Sequence, residues 1–271
     1  MTSGLLDKLW HKTLRRPYRL YRAIDEGSGD PIVLLHGIGQ TGNTWQHVVE
    51  QLGHKHRIVA FDLLGFGASP KPDWLDYDID DHTKALIASI EKLHQKPITL
   101  VGHSMGCLVA VRLARQRPDL VKHLVLYEMP LYEGLPNKRM YRLRTDLYYR
   151  LYRRIMKFEP TSQAQKVQLA QRLAKRIAGF EVDENTWQPF MKSLENTIMT
   201  QTAADDIKQI DTPIDVIYGR FDMLVIRGKP QKFFGEDSGH ITAHTIRESH
   251  VISKKASTFI VERVEAFNNG E

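Results

Sequence analysis

The fold is decided by residues 98–116, Ile98-Thr-Leu-Val-Gly-His-Ser-Met-Gly-Cys-Leu-Val-Ala-Val-Arg-Leu-Ala-Arg-Gln116. Its first part, Ile98–Val101, is a short apolar run typical of a buried strand, and Met105–Gln116 has the small and apolar residues of a packed helix. Between them lies Gly102-His-Ser-Met-Gly106, a Gly-x-Ser-x-Gly pattern. A sharp strand-to-helix turn lifts such a serine clear of the sheet, and the flanking glycines remove side chains that would clash. The stretch therefore predicts that Ser104 is a nucleophile.

Outside this stretch, short apolar runs alternate with helical patterns. This alternation predicts an α/β fold, in which a mostly parallel sheet is flanked by helices. The predicted strands cover residues 18–24, 31–35, 57–61, 98–101, 124–126, 214–218 and 241–246. The predicted helices are one that starts from an N-cap at Asn43 and those at residues 81–94, 105–116 and 253–267.

One block interrupts this alternation. From residue 131 to residue 202, helical patterns replace strands, and the longest covers residues 140–158. A helical block between two strands predicts an inserted cap, or lid, on a core formed by residues 18–130 and 203–271. We expect tyrosines of this cap to roof a substrate pocket. These tyrosines are Tyr141, Tyr148, Tyr149 and Tyr152.

The composition limits the class of protein. The chain has 271 residues, of which 42% are hydrophobic, enough to bury the core of one α/β domain. No run approaches the roughly 20 apolar residues that span a bilayer, and charges interrupt the N-terminus too early for a signal peptide. The single cysteine, Cys107, excludes an internal disulfide and fits a reducing compartment. We therefore expect a cytoplasmic protein.

Positive charge is concentrated in two segments, although the formal net charge is only +6. Residues 1–22 contain six Lys and Arg against Asp7 alone, and residues 131–180 contain twelve against three acidic residues. The remaining residues therefore carry a net negative charge. A basic cap could attract anionic substrates or lipid headgroups, but such charge is more often a solvated helix face.

The N-terminal segment, residues 1–17, has the pattern of a short amphipathic helix. Its apolar side consists of Leu5, Leu6, Leu9 and Trp10, and Pro17 ends it. We expect this helix to pack on the body of the protein, with weak peripheral membrane contact as the alternative. No motif indicates nucleic acid binding. The twelve histidines show no metal-ligand spacing, so no metal is expected.

A serine that attacks a carbonyl needs two N–H donors for the developing oxyanion. The residue after the nucleophile, Met105, supplies one backbone N–H. The glycine-rich turn His36-Gly-Ile-Gly39 follows an earlier strand, and the N–H of Ile38 is the predicted second donor. The alternative is that this turn is a tight loop in which glycine is needed only for the backbone conformation, with no role in binding an oxyanion.

The serine also needs a histidine base that is oriented by an acid, and in this architecture the chain order is Ser, acid, His. Asp222 follows the strand at residues 214–218, at its carboxyl end, and is the predicted acid. Glu128, which follows the strand after the nucleophile helix, is the rival. We expect Glu128 instead to form hydrogen bonds at the base of the cap.

Three late histidines are candidates for the base. His240 precedes the last predicted strand, and His244 lies inside it. His250 follows that strand directly, which places it at the sheet edge where Ser104 and Asp222 also emerge. His250 is therefore the predicted base, and the other two are expected to be structural or exposed.

Taken together, these motifs make the chain resemble the α/β-hydrolase family, in its branch with a helical cap. The motifs that carry the resemblance are His36-Gly-Ile-Gly39, Asp62-Leu-Leu-Gly-Phe-Gly-Ala-Ser69, Gly102-His-Ser-Met-Gly106, Gly219-Arg-Phe-Asp222 and His250. Haloalkane dehalogenases and epoxide hydrolases of this fold place Asp at the position of Ser104, which argues against both activities.

The resemblance implies a hydrolase that cleaves carboxylic ester-type bonds through an acyl-enzyme, with no cofactor. The expected partner is a small-molecule acyl substrate with an apolar acyl group. Two alternatives stay open: a carbon–carbon bond hydrolase or lyase on the same triad, and a non-catalytic small-molecule-binding protein. The motifs are specific for fold and mechanism but not for substrate, because this fold hosts many chemistries.

Overall fold

The computed structural model describes residues 6–93, 97–131, 181–200, 202–222, 225 and 239–270. Within these ranges, one seven-stranded sheet has the order β1-β3-β2-β4-β5-β6-β7. The strands are β1 (Arg22–Glu26), β2 (Pro31–Leu35), β3 (Arg57–Phe61), β4 (Ile98–His103), β5 (Val121–Tyr127), β6 (Ile214–Gly219) and β7 (Ile241–Ile246). Strand β1 pairs antiparallel with β3, and all other pairs are parallel. The predicted α/β fold with a mostly parallel sheet is confirmed.

Helices of the described residues connect these strands. The α-helices are α1 (Gln46–Leu52), α2 (Ile79–Ile90), α3 (Met105–Gln116), α4 (Trp187–Ser193), α5 (Ala203–Ile207) and α6 (Lys254–Asn268). Two short 3₁₀ turns cover Gly42–Trp45 and Pro118–Leu120, and two π-helical turns cover Lys8–Thr13 and Leu194–Ile198. None of the helices in these ranges has the length and apolar character needed to cross a bilayer.

The sheet lies between two helical layers, which explains why all five residues of β2 are buried. Alternate side chains of a strand point to opposite faces. Val33 and Leu35 accordingly join the apolar cluster that contains α2 and α3, whereas Ile32 and Leu34 join the cluster that contains α1 and α6. Burial of both faces holds the strand ends, and hence the loops that carry the site, in fixed positions.

Strand β5 covers Val121–Tyr127 rather than 124–126, and α2 covers Ile79–Ile90 rather than 81–94. Two further starts differ for local reasons. Strand β1 begins at Arg22 rather than at residue 18, because side chains satisfy the preceding backbone: Leu20 N donates to Ser89 Oγ (2.8 Å) and Tyr21 N to Ser69 Oγ (2.8 Å). Asn43 is not an N-cap, because it lies inside a 3₁₀ turn that precedes α1. Sequence periodicity does not reveal either arrangement, since both depend on local backbone hydrogen bonding.

Of the predicted cap, residues 131, 181–200 and 202 lie within the described residues. The predicted helix at residues 140–158 and the four cap tyrosines lie outside them. Several hydrogen bonds join residues 181–200 to the core. Among them, Thr197 Oγ1 donates to Tyr77 O (2.8 Å), and His82 Nε2 lies 3.0 Å from Ser193 Oγ. In addition, Glu181 N donates to Gly39 O (2.6 Å), which brings this segment against the loop after β2.

Candidate active site

Ser104 lies at the turn between β4, which ends at His103, and α3, which begins at Met105. Its backbone has φ 51° and ψ −118°, in a region that residues other than glycine rarely adopt. The amide of Ser104 donates to Tyr127 O (3.0 Å) at the end of β5, which helps to hold this conformation. A strained serine at a strand-to-helix turn is the arrangement that the Gly-x-Ser-x-Gly pattern predicts.

The two glycines of the turn are required by close packing. A Cβ on Gly106 would lie 2.5 Å from the carbonyl oxygen of Leu35, and a Cβ on Gly102 would lie 2.8 Å from the Cα of Cys107. Both distances are shorter than Cβ contacts in proteins allow. Helix α3 can therefore approach the end of β2 only with glycine at position 106.

The loop after β2 lies directly against the nucleophile. A Cβ placed on Gly37 would come within 3.2 Å of Ser104 Cβ. None of the hydrogen bonds among the described residues uses the amide of Ile38. The amide of Met105, at the first position of α3, has no partner within the helix because the first turn of any α-helix leaves its N–H groups unpaired. Met105 thus directly follows Ser104 in the chain, and the loop that carries Ile38 lies against Ser104.

His36 holds this loop in place. Leu63 N donates to His36 Nε2 (2.8 Å), so the other ring nitrogen carries the proton, and Nδ1 donates to Gly37 O (2.7 Å). Burial lowers the pKa of His36 to about 4, which keeps the ring neutral as these two bonds require. The motif His36-Gly-Ile-Gly39 contained this signal, but sequence reasoning assigned no role to the histidine itself.

Asp222 and His250 form a direct pair. Asp222 Oδ2 lies 2.8 Å from His250 Nδ1, and both residues are buried. Because an ionised carboxylate can only accept, Nδ1 carries the proton, and Nε2 is left with a lone pair. Val225 N donates to the other carboxylate oxygen (3.1 Å), which orients the acid. The pair therefore has the tautomer that a general base requires.

Two further groups hold the backbone of His250 near the nucleophile. His103 Nε2 donates to His250 O (2.8 Å), and Tyr127 Oη donates to Ser249 O (2.6 Å). The rings of His103 and His250 are 4.9 Å apart, which brings His250 beside the residue that precedes Ser104. Among the described residues, no hydrogen bond joins the Ser104 hydroxyl to His250. Sequence reasoning missed both groups because their contacts connect distant parts of the chain.

Glu128, the rival acid, lies in the same cluster. It is fully buried with φ 53°, and its Oε1 accepts a hydrogen bond from Gly219 N. Candidate ligand atoms of Glu128, Asp222 and His250 all lie within 4.8 Å of one another, which is close enough to hold a metal ion. However, the Asp222–His250 hydrogen bond and the Gly219–Glu128 hydrogen bond already use atoms of this group. The arrangement fits an acid–histidine pair with a second carboxylate beside it.

The other two late histidines lie elsewhere. His240 precedes β7 at the amino end of the strand, and its carbonyl oxygen accepts from Ile214 N (2.8 Å). His244 contacts Asp215 through Nε2, on the neighbouring strand β6. Neither contacts the acid, so His250 is the histidine that the structure brings to Asp222.

The fold and this cluster define a class: a mostly parallel α/β protein with a serine elbow, and an acid–histidine pair at the carboxyl edge of the sheet. Residues 30–233 match the family model of the α/β hydrolase fold. The chain therefore belongs to the α/β hydrolase fold family.

Named relatives match shorter stretches of the chain. An uncharacterised protein of Mycobacterium tuberculosis is 38% identical over 112 residues, which cover 41% of this chain and 31% of that protein. A probable esterase, D14L, of Oryza sativa subsp. japonica is 33% identical over 109 residues, covering 39% and 40%. The chain thus spans well under half the length of these curated relatives.

Solved structures resemble the chain over most of its length. A meta-cleavage product hydrolase from Pseudomonas fluorescens, in a serine-to-alanine mutant complexed with acetates, has a TM-score of 0.65 and 21% identity, over 92% of this chain and 94% of that one. At this level of identity the likeness concerns the fold alone.

Proposed function

We propose that the chain is a serine hydrolase that cleaves carboxylic ester-type bonds through an acyl-enzyme intermediate. The observation that carries the proposal is the arrangement of Ser104 in a strained strand-to-helix turn, with the Asp222–His250 pair at 2.8 Å held beside that turn. In this proposal Ser104 is the nucleophile, His250 the base and Asp222 the acid.

The proposed reaction has two halves, the acylation of Ser104 and the hydrolysis of the acyl-enzyme. His250 Nε2 takes the proton of Ser104 Oγ as the oxygen attacks the substrate carbonyl carbon, and the carbonyl oxygen becomes an oxyanion. When that oxyanion collapses, the bond to the leaving alcohol breaks, and protonated His250 gives its proton to the alcohol. A water molecule then attacks the acyl-enzyme while His250 accepts a proton from it. When the second oxyanion collapses, the bond from the acyl carbon to Ser104 Oγ breaks and protonated His250 returns its proton to that oxygen, which releases the carboxylic acid and regenerates Ser104.

Backbone amides of Ile38 and Met105 bind the oxyanion in both halves. Three observations support this role: the loop after β2 lies against Ser104, the Met105 amide is at the unpaired start of α3, and His36 fixes the Gly37 carbonyl. Donors that are held in place before the reaction cost no reorganisation when the charge develops. The loss of one such donor typically lowers turnover by about 10²–10³.

The surroundings favour an apolar acyl group. Met105 directly follows Ser104, Met129 directly follows Glu128, and Ile38 lies in the loop against Ser104; all three are buried apolar residues. Ligand pockets usually combine such an apolar lining with few polar groups, as Ser104 and its partners would provide. We therefore propose a small-molecule acyl ester as substrate.

The test is hydrolysis of p-nitrophenyl esters from acetate to palmitate by the wild type and by Ser104→Ala. We expect the wild type to turn over part of the series, and Ser104→Ala to lose at least about 10³ of that rate. The control is Ser28→Ala, which removes an exposed hydroxyl between β1 and β2 and should leave the rate unchanged.

Two outcomes would contradict the proposal. If Ser104→Ala retained the wild-type rate, the hydrolysis would not use this serine. If the folded wild type were inert toward every ester, the ester assignment would be wrong. The diketone and cyanohydrin series, which suit a carbon–carbon hydrolase or a lyase, would then be assayed.

A further inference from the structure

The N-terminal segment exposes apolar side chains that a globular protein normally buries. Leu6, Leu9, Trp10 and Leu14 are 65%, 51%, 55% and 53% exposed. Leu9 and Trp10 lie in the helical turn Lys8–Thr13, and Leu6 and Leu14 lie at its two ends. Positions 6, 10 and 14 are spaced four residues apart, so their side chains share one side of a helical segment.

The opposite, polar side of this segment contacts the body. Tyr18 Oη donates to Asp7 Oδ2 (3.0 Å), and the His11 ring stacks on Tyr18 with a centroid distance of 3.7 Å. Lys8 Nζ lies 5.6 Å from the centre of the Trp74 ring. An amphipathic surface helix normally turns its apolar side to the core. Here the amphipathic order is reversed, because polar contacts attach the segment and leave Leu6, Leu9 and Leu14 exposed. Trp10 is also more than half exposed, at the rim of a cavity that it lines with Trp74.

Cations follow the apolar residues along the segment. Lys12, Arg15, Arg16 and Arg19 are all exposed. Within the described part of the chain, Lys12, Arg15 and Arg19 have no carboxylate within ion-pair distance, and Arg16 lies over the Trp10 ring at 5.9 Å. Asp7, the acidic residue of this segment, accepts a hydrogen bond from Tyr18. We call the four apolar residues and these four cations the N-terminal patch.

We propose that the N-terminal patch binds the protein to the surface of an anionic lipid bilayer. Leu6, Leu9 and Leu14 would enter the boundary between headgroups and acyl chains, where apolar helix faces are buried. Trp10 suits that boundary, because its indole ring is apolar with one polar N–H. The four cations would lie at the level of the lipid phosphates, which attract them.

The charge of the patch argues against a second copy of this chain as the occupant. A two-fold symmetric interface would place the same surface on both partners, so Lys12, Arg15, Arg16 and Arg19 would face their own copies. Like charges placed together oppose association. An anionic bilayer instead provides an apolar interior for the leucine side chains and negative headgroups for the cations. This inference does not depend on the proposed hydrolase activity.

The experiment is sedimentation of the full chain with vesicles of phosphatidylcholine, with or without one-third phosphatidylglycerol. We expect binding to the phosphatidylglycerol vesicles, weakened by high salt, and little binding to phosphatidylcholine alone. Leu9→Ser/Trp10→Ser removes two apolar side chains that would enter the bilayer, and Lys12→Glu/Arg15→Glu reverses two charges. Each double variant should lower the partition coefficient by at least about tenfold.

The matched control is Lys254→Glu/Lys255→Glu, which makes the same charge change at the exposed start of α6. Glutamate is favourable in the first turn of a helix, so this variant should fold and should bind vesicles as the wild type does. All variants should keep the circular dichroism spectrum and thermal transition of the wild type.

Three results would overturn the proposal. The first is failure of the folded wild type to bind phosphatidylglycerol vesicles. The second is equal loss of binding in the patch and control variants, which would indicate general attraction by net charge. The third is sedimentation analysis in which the wild type forms a dimer that Leu9→Ser/Trp10→Ser dissociates, without vesicle binding. The patch would then be an interface between copies.

Discussion

The hydrogen bond between His250 Nδ1 and Asp222 Oδ2 determines which ring nitrogen can accept a proton. With the proton held on Nδ1, the lone pair of Nε2 remains for the serine. Histidine without an acid partner populates both tautomers, and the wrong one cannot act as base toward Ser104. The activity of the site should therefore depend on the charge of Asp222 more than on its shape.

Asp222→Asn tests this dependence, because it replaces one carboxylate oxygen with an amide nitrogen. The amide keeps the size of the side chain, but it can donate to Nδ1 and so stabilise the unproductive tautomer. We expect kcat for the preferred p-nitrophenyl ester to fall by about 10³–10⁴. Steady-state kinetics with the wild type and the variant provide the measurement.

Glu128→Gln is the matched comparison, because it removes a second buried carboxylate from the same cluster. The amide retains an oxygen that can accept from Gly219 N, so the fold should tolerate it. We expect a loss of less than about tenfold, as for a group that does not orient the base. A larger loss in Glu128→Gln than in Asp222→Asn would transfer the role of the acid to Glu128.

At the scale of elements, the strand-to-helix turn that carries Ser104, which we call the elbow, depends on the contact between α3 and the end of β2. Gly106→Ala places a Cβ 2.5 Å from Leu35 O, so the helix or the strand must move. We expect the free energy of unfolding to fall by about 1–3 kcal/mol, as in other overpacked sites. Chemical denaturation measures this change, and ester hydrolysis should fall with it because Ser104 lies on the same turn.

Gly239→Ala is the control for that substitution. A Cβ at this position meets no atom of the described residues within 4 Å, so the same chemical change should leave stability and hydrolysis close to the wild-type values. If Gly106→Ala were as stable and active as Gly239→Ala, the close packing of the elbow would not matter for the site.

Elements with strong local patterns were predictable. The bounds of α3, β2, β3 and β7 agree with the predicted ones, because uninterrupted apolar runs and a clear start of the helix determine them. The start of β1 was wrong, because the hydroxyls of Ser89 and Ser69 replace ladder partners before Arg22. The orientation of the N-terminal segment was also unpredictable, because it depends on the contacts of Tyr18 with Asp7 and His11.

The residues of the site also include some that the sequence predicts and some that it does not. Ser104, Asp222 and His250 could be proposed from sequence, because each directly follows a predicted strand and parallel strands end at one edge. The supporting roles of His103 and Tyr127 could not, because they bond to the backbone of residues 249 and 250, more than 120 positions further along the chain. Such contacts follow only from the complete packing of the sheet.

At the scale of the whole molecule, buried histidines link stability to pH. His36, His82 and His103 are buried, and burial lowers the pKa of each. The pKa of His82 falls from 6.5 to about 3. Between these values the unfolded chain binds a proton at this position and the native chain does not. Acid therefore favours unfolding, and stability should fall as the pH drops below about 6.5.

His82→Gln should make this pH dependence weaker. In the wild type, each such histidine adds up to about 1.4 kcal/mol per pH unit to the slope of unfolding free energy against pH. Glutamine can still bond to Ser193 but does not titrate, so the slope between about pH 4 and 6 should decrease by up to that amount. Urea denaturation across this range measures the slope independently of any constant loss of stability.

The control for the pH experiment is Gln46→Ala, which changes an exposed residue of α1 that has no titratable group. Its slope should stay close to that of the wild type. A slope in His82→Gln that equals the wild-type slope would show that His82 is not held neutral by burial in the native state.

Covalent labelling with a fluorophosphonate reports whether Ser104 is a nucleophile that His250 activates. We expect a single adduct, located by peptide mass spectrometry on Ser104, absent in Ser104→Ala and formed at least about 10³-fold more slowly in His250→Ala. A folded wild type that forms no adduct, or that carries the adduct on another residue, would show that Ser104 is not the activated nucleophile.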